Sequence, residues 1–335
     1  MPETIIVLVI TLAILFEISN GWNDPANAIA TVVSTRVLTP LQAILMASTM
    51  NVTGAIITTS FFSMSVSKTI GKGIVDPTDI TLIVIAAALL SGFIWNGLMT
   101  LLGLPVSASH ALIGGIMGAA VAHQGGFDKL NYAGLVKIFT ALLTSPILGI
   151  FIGYLFMKLI LRVFCNKSPG SINKHFGRLQ IISAGFMAFS HGSNDSQKVM
   201  GIITMALISG GYLTTWKVPL WVILLCAVAM GFGIAAGGWR VIKTLGVQMH
   251  KLQPVNGFAA ETAATAIILG ASSMGLPVST THVITTCIMG VGATKRLSAV
   301  RWGIAGKILM AWIFTLPACI GMSWLTYKVL IYLGM

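Results

Sequence analysis

Charge is what this sequence has least of. Asp, Glu, Lys and Arg make up only 8% of its 335 residues, while 56% are apolar. A water-soluble domain of this size normally carries about 25% charged residues to keep its surface solvated. The shortage is also concentrated, with 48 uncharged residues between Asp79 and Asp128. Comparable gaps separate Arg36 from Lys68, Lys217 from Arg240, and Glu261 from Lys295. One crossing of a bilayer takes about 20 mostly apolar residues, so each gap holds one or two. Period-two alternation is absent, which excludes a transmembrane barrel. Cys165, Cys226, Cys287 and Cys319 stand singly, without metal-type spacing, and read as packing residues. The first apolar run, Thr4 to Ile18, has no basic start and no small-residue cleavage site; it reads as a retained helix rather than a signal peptide.

The charges that are present are mostly basic, twenty against eight acidic, for a net +12. In a soluble chain that balance suggests nucleic acid. Here the basic residues cluster between apolar runs: Lys158, Arg162, Lys167, Lys174 and Arg178 in the middle, then Lys295, Arg296, Arg301 and Lys307. Such loop bias orients membrane proteins, and it places the central loop in the cytoplasm. Most of these residues read simply as headgroup-level charges, and no nucleic-acid partner is expected.

The chain repeats itself. Ser19-Asn20-Gly21-Trp22-Asn23-Asp24 returns as Ser190-His191-Gly192-Ser193-Asn194-Asp195, 171 positions on. Gly103-Leu104-Pro105-Val106-Ser107-Ala108-Ser109-His110 returns as Gly275-Leu276-Pro277-Val278-Ser279-Thr280-Thr281-His282, 172 positions on. Lys68-Thr69-Ile70-Gly71 returns as Lys243-Thr244-Leu245-Gly246. Three echoes in order at nearly constant offset indicate a duplicated unit. The expected halves are 1–165 and 178–335, joined by a basic cytoplasmic linker over 166–177. The expected fold is an all-α polytopic membrane protein of two homologous repeats, of inverted topology, with broken helices, re-entrant hairpins and about 10–12 membrane segments. Runs 24–35 and 195–209 are too short to span, and 105–122 and 277–293 start abruptly after Gly-Leu-Pro. Interrupted segments at matching places in two halves point to a transport site.

Asp24 and Asp195 stand in apolar surroundings at matching positions. A carboxylate at the centre of a membrane helix costs about 2.5–3.5 kcal/mol on insertion scales and marks ion pathways or proton relays. A helix-capping Asp explains one such residue better than it explains a repeated Asn-Asp pair. Asn and Asp oxygens, with carbonyls freed at a helix break, suit a small hard cation, Na⁺ or H⁺, rather than a transition metal. The two Pro-Val-Ser segments read as helix N-termini, with proline in the first turn. There, free amides, the positive dipole end and the hydroxyls of Ser107, Ser109, Ser279, Thr280 and Thr281 make an anion cradle. Ordinary capping of the helix's own backbone is the competing reading. His110 and His282 follow the cradles, without partners for a metal set, and are expected to hold each hairpin through a hydrogen bond. Glu261, alone in an apolar helix, is a further candidate ligand for the ion or proton; a salt bridge with a basic residue such as Lys251 is the alternative. Lys198 occupies the place of Asn27 and supplies either a fixed charge near the site or a snorkelling surface charge.

Gly-Trp-Asn-Asp-Pro-Ala-Asn-Ala at 21–28, His-Gly-Ser-Asn-Asp-Ser-Gln-Lys at 191–198 and both Pro-Val-Ser hairpins resemble the inorganic phosphate transporter (PiT) family. So do Gly238 to Thr244 and Asn256 to Glu261, so that the similarity covers nearly the whole chain. The resemblance implies a duplicated, inverted-repeat fold, often dimeric, that imports phosphate with Na⁺ or H⁺ and needs no other cofactor. It implies cation binding at Asn23, Asp24, Asn194 and Asp195, with Asn27 and Glu261 as further candidates. Phosphate would bind the hydroxyl-bearing hairpins, with Gln197, Lys198, His110 and His282 in support. Two departures stand out. Asn51 replaces a Glu found in some members, and Ala108 removes one potential hydroxyl contact. The long hydrophilic central loop of animal relatives is missing, which suggests a multi-pass protein of a prokaryotic cell membrane, working in the lipid bilayer as a homodimer.

Three other readings compete. A sulfate permease fits the same scaffold, but phosphate keeps a P–O–H that can donate to a carboxylate, whereas sulfate only accepts. A passive anion channel would conduct without saturation or ion coupling. An intramembrane aspartyl protease typically pairs Tyr-Asp with Gly-x-Gly-Asp, which this chain lacks, and leaves the anion cradles unexplained. The expectation is therefore a transporter and not an enzyme.

Overall fold

The computed structural model describes residues 2–249 and 252–335, and among them it contains thirteen α-helices and no β-strand. They are α1 (Pro2–Asn23), α2 (Pro25–Ser34), α3 (Pro40–Ile57), α4 (Ser65–Gly73), α5 (Leu82–Leu102), α6 (Ala108–Gln124) and α7 (Tyr132–Val163). They continue with α8 (Pro169–Ser209), α9 (Leu220–Ala236), α10 (Trp239–Lys243), α11 (Pro254–Ser273), α12 (Thr280–Ala293) and α13 (Trp302–Tyr332). A π-helical turn, Thr58–Phe62, extends α3, and a second, Thr244–Gln248, extends α10.

The uncharged runs became helices for the expected reason, since a backbone without water must satisfy its own hydrogen bonds. Five stretches are single helices or nearly so, and long and apolar enough to cross a membrane: 3–34, 40–62, 82–102, 132–163 and 302–332. A sixth is the pair 220–236 and 239–248, bent by 65°. These are the full-length crossings; the 10–12 segments expected from sequence also include broken helices and re-entrant hairpins. The remainder is α8 and α11, which carry polar residues facing the interior, and helices too short to cross. α12 has 14 residues and rises about 21 Å, against a hydrocarbon core of about 30 Å.

Two expectations about continuity need correcting. Runs 178–190 and 195–209 are one helix, α8, of 41 residues. Its matching stretch, α1–α2, does break at Asp24. The cause is local. Pro25 cannot donate a backbone hydrogen bond and closes α1, whereas Ser196 in the matching place can. The linker also shrinks, because α8 begins at Pro169 and α7 ends at Val163.

Packing crosses the chain's midpoint. α6 lies along α13 and α12 along α7, while α3 lies along α8 and α9 along α1. Close approach depends on small residues, as is usual where lipid offers helices no hydrophobic drive to associate. A Cβ at Gly192 would overlap the Asn51 carbonyl oxygen, so glycine there lets α3 reach the neighbouring His191. The outward faces of α7 and α13 are lined by large exposed side chains, among them Leu143, Phe151, Ile313 and Phe314.

Candidate ion and phosphate site

The site forms where the α1–α2 break, the middle of α8 and the starts of α6 and α12 meet. Asp24 precedes α2 with φ −91° and ψ 0°, and its side chain makes no capping bond to its own helix. Its carboxylate is therefore available to other elements. Thr281 Oγ1 donates to Asp24 Oδ1 at 3.0 Å, and His191 Nε2 lies 3.3 Å from Asp24 Oδ2. Asp195 accepts from Lys198 Nζ at 2.8 Å and from Thr280 Oγ1 at 3.3 Å, with His191 Nε2 at 3.9 Å. Asp24, His191 and Asp195 are all buried and offer ligand atoms within 4.8 Å of one another.

His191 was not foreseen as a site residue, although it lies inside the repeated motif where the first half carries Asn20. Asn51 fixes its orientation. The Asn51 amide donates to the Ala47 carbonyl at 2.8 Å, which turns Oδ1 toward His191 Nδ1 at 2.6 Å. Nδ1 must then carry hydrogen, and Nε2 is left to face the two carboxylates. With a second N–H, as the imidazolium, it donates to them; in the neutral ring its lone pair can accept only from a protonated carboxyl or a bound cation. Asn51 is thus a positioning residue for the imidazole.

Lys198 is buried and does not snorkel. Its ammonium bonds Asp195 and the Val278 carbonyl, the latter at 2.9 Å. Ser109 donates to the same carbonyl at 3.3 Å, so both hairpins meet at Val278. Ser107 and Ser279 cap their own helices, accepting from His110 N at 3.2 Å and His282 N at 3.3 Å. The competing capping reading thus describes these two serines, while Ser109, Thr280 and Thr281 reach across to other elements. Their helix starts still present first-turn amides that lie beyond the intrahelical ladder.

The two asparagines divide. Asn23 donates to Thr100 Oγ1 at 2.9 Å and to Leu104 O at 3.3 Å, and accepts from Val106 N at 3.3 Å. It clamps the segment leading into α6. Asn194 donates to Ser272 Oγ at 2.8 Å, but its Oδ1 has no partner. Asn27 donates to Thr281 Oγ1 at 3.0 Å, and its Oδ1 is also without one, as is Gln197 Oε1. Asn27 shares Thr281 with Asp24, and Asn194 and Gln197 flank Asp195 in the chain; open buried oxygens of this kind could serve a hard monovalent cation.

Three residues sit differently from expectation. The His110 and His282 rings hold the hairpins by contact rather than by an imidazole hydrogen bond. Their centroids are 4.8 Å apart and His282 stacks on Trp312 at 3.8 Å, while His110 Nδ1 and His282 Nε2 have no partner. Glu261 is fully buried in a polar nest of its own, accepting from Thr31, Ser183 and, at 3.2 Å, Gln180. These neutral donors occupy the carboxylate, and Lys251 lies outside the described residues. Glu261 does not join the cluster of Asp24, His191 and Asp195.

The sequence profile of the phosphate transporter family matches residues 20–323, most of the chain and the whole of this site. The chain belongs to that family. A probable low-affinity inorganic phosphate transporter of Bacillus subtilis (strain 168) is 45% identical over 97% of this chain and 96% of its own length. One from Rhizobium meliloti (strain 1021) is 43% identical over 96% of each. Among solved structures, one described as the sodium-dependent phosphate transporter superposes with a TM-score of 0.89 at 26% identity. It covers 98% of this chain, which in turn covers 99% of it. These relatives are named as transporters, not as enzymes, and the transporter reading of the acids takes precedence over the protease reading.

Proposed function

We propose that this chain imports inorganic phosphate across a prokaryotic cell membrane, driven by Na⁺ or H⁺ and working by alternating access. One observation carries the coupling. Thr280 and Thr281, in the first turn of α12, donate their hydroxyls to Asp195 and Asp24. The anion cradle and the acids thus compete for the same hydrogens. A cation arriving at Asp24 and Asp195 takes over the carboxylates and releases the hydroxyls to phosphate oxygens. Bound cation thereby creates affinity for the anion, and anion for cation, as linkage requires.

In this reading Asn23, Asp24, Asn27, Asn194 and Asp195 form the cation region, with Glu261 a separate acid one helix away. Ser107, Ser109, Ser279, Thr280 and Thr281 receive phosphate, with Gln197, Lys198, His110 and His282 in support. Lys198 offsets one of the two aspartates permanently, which fits an anion site. The sodium-dependent neighbour in structure favours Na⁺ as the driving ion. The halves 1–165 and 178–335 act as two inverted repeats joined across 166–177, and one bundle moves against the other around the hairpins. The large apolar side chains on α7 and α13 face lipid or a second copy in a homodimer, with the central basic segment in the cytoplasm.

Labelled-phosphate uptake by proteoliposomes, under Na⁺ and pH gradients imposed separately and with sulfate and arsenate as competitors, tests this directly. Saturable uptake that follows one gradient and resists sulfate is expected. Uptake indifferent to both gradients would point to a channel and end the coupled reading.

A further inference from the structure

Eight acidic residues occur in the chain, and the site above leaves one buried acid with no task. Glu17 lies on α1, two turns before Asp24, and is 0% exposed. Neither of its carboxylate oxygens has a hydrogen-bond partner. The Ser196 hydroxyl and the Asn20 side chain lie near enough to act on it as donors, though neither reaches ordinary hydrogen-bond geometry, and Ser196 Oγ and Asn20 Oδ1 are themselves buried and without partners. Glu261, equally buried, has three donors. Buried polar atoms are nearly always paired, so a group of oxygens left open in one place marks a missing positive partner. Proximity to the site adds to this. Ser196 is the residue after Asp195, and the charges of Asp195 and Lys198 on α8 both act on Glu17, whose own charge acts on buried Cys226 of α9. The acid is also a one-sided addition: 171 positions on, the matching residue is Ala188, buried in apolar packing.

We propose that Glu17, Asn20 and Ser196 form a further cation site, taking one monovalent cation, a sodium ion or a proton, beside the Asp24–Asp195 centre. Oxygen atoms alone, with a single full negative charge, suit an ion of unit charge. An occupant there lowers the negative field at Asp195 and so favours phosphate in the cradle. The inference rests on the coupled-transport reading above and adds one ion to it.

The test uses the full-length protein in proteoliposomes and compares wild type with Glu17→Gln, a neutral side chain of the same shape. Phosphate uptake is measured against Na⁺ concentration at fixed pH, and against a pH gradient at fixed Na⁺, with charge moved per phosphate recorded in both. Loss of one cation per phosphate is expected. A drop of one in the Na⁺ Hill coefficient identifies sodium as the occupant, whereas loss of the pH-gradient drive alone identifies a proton. Unchanged dependence in both arms overturns the site. Asp24→Asn run in parallel separates the two claims, since normal coupled uptake in that variant defeats the transport reading, whatever Glu17 does. If Glu17→Gln does not fold, Glu17→Asp serves, keeping the charge on a shorter arm. Cation affinity should then fall about 10-fold with stoichiometry retained, a change of roughly 1.4 kcal/mol, and an unchanged affinity overturns the site.

Discussion

The two aspartates sit at matching positions yet in different settings. Asp24 lies at a helix break beside Pro25, held by a threonine hydroxyl and an imidazole. Asp195 lies inside an unbroken helix with a lysine ammonium 2.8 Å away. Where α2 has Asn27, α8 has Lys198. The same motif thus yields one carboxylate paired with a lysine ammonium and one whose only basic neighbour is an imidazole, charged only when protonated. The difference teaches a division of labour: the Asp195 side is poised for an anion, and the Asp24 side is the one that calls for a mobile cation. Asp24→Asn should therefore have the largest effect. It removes the carboxylate that has no lysine partner while keeping the shape, and should lower ion-driven uptake by about 100-fold or more, roughly 2.7 kcal/mol of coupling. Proteoliposome uptake reads this directly, and an unchanged size-exclusion profile excludes unfolding as the cause.

Lys198→Asn tests the same contrast from the other side, because it gives the second motif the first motif's residue. Removing one member of a buried pair leaves an uncompensated charge and commonly costs about 3–5 kcal/mol. An incoming cation can recover part of that loss. The expected outcome is uptake that persists only at raised cation concentration, with a steeper cation dependence than wild type. A variant as active as wild type at low cation would mean that Lys198 does not offset Asp195.

Glu261 supplies a second contrast between the halves. Its nest of Thr31, Gln180 and Ser183 has apolar residues at the matching positions, Leu89, Ile202, Val9 and Leu12, all packed in or against an apolar cluster. The fold itself therefore does not need an acid there. Substituting all four, Glu261→Leu, Thr31→Ile, Gln180→Val and Ser183→Leu, should leave thermal stability unchanged or higher, because well-packed apolar groups often match or exceed a buried polar cluster. Uptake should nevertheless fall about 10-fold, roughly 1.4 kcal/mol. Full uptake with higher stability would reduce Glu261 to a structural residue.

Much of this was legible in the sequence, and the parts that were not share a cause. Uncharged runs gave the helices, since membrane spans depend on local composition. The repeated Asn-Asp and Pro-Val-Ser motifs located the site, because matched polar residues in apolar runs are conspicuous. The continuity of α8 was missed because a polar motif interrupts its hydropathy, although Ser196 in place of Pro25 was visible. His191, Asn51 and Glu17 escaped for a different reason. Their significance comes from surroundings supplied by residues 140 or more positions away, such as His191 for Asn51 and Ser196 for Glu17, and no local pattern encodes that. The same holds for the serines: spacing predicted hydroxyls at both hairpins, but only packing decided that Ser107 and Ser279 cap helices while Thr280 and Thr281 reach the acids.

The smallest effect tests likeness rather than difference. The segments entering α6 and α12 each turn at a glycine in the left-handed region, Gly103 with φ 72° and Gly275 with φ 68°, a conformation that disfavours other residues. Each glycine carbonyl then accepts a threonine hydroxyl from the opposite half. Thr244 Oγ1 reaches Gly103 O at 2.8 Å, and Thr69 Oγ1 reaches Gly275 O at 2.7 Å. The two threonines belong to the matched Lys-Thr-[Ile/Leu]-Gly motifs, so each half pins the other's hairpin through the same bond. Thr69→Val and Thr244→Val each remove one hydrogen bond with little change of volume and should each cost about 1 kcal/mol, measured as paired shifts in unfolding midpoint. The hydroxyl of Thr244 also has the Arg240 carbonyl within reach at 3.1 Å, and that of Thr69 has the Ser65 carbonyl at 3.0 Å, so even the fallback partners match. Equal costs with similar modest losses of uptake would mean that the hairpins are held as equivalents and that asymmetry lies outside them, at the Pro25 break and at Lys198, Glu17 and Glu261. A large inequality would place asymmetry in the scaffold itself, and the division of labour between the two aspartates would then need a mechanical origin as well as an electrostatic one.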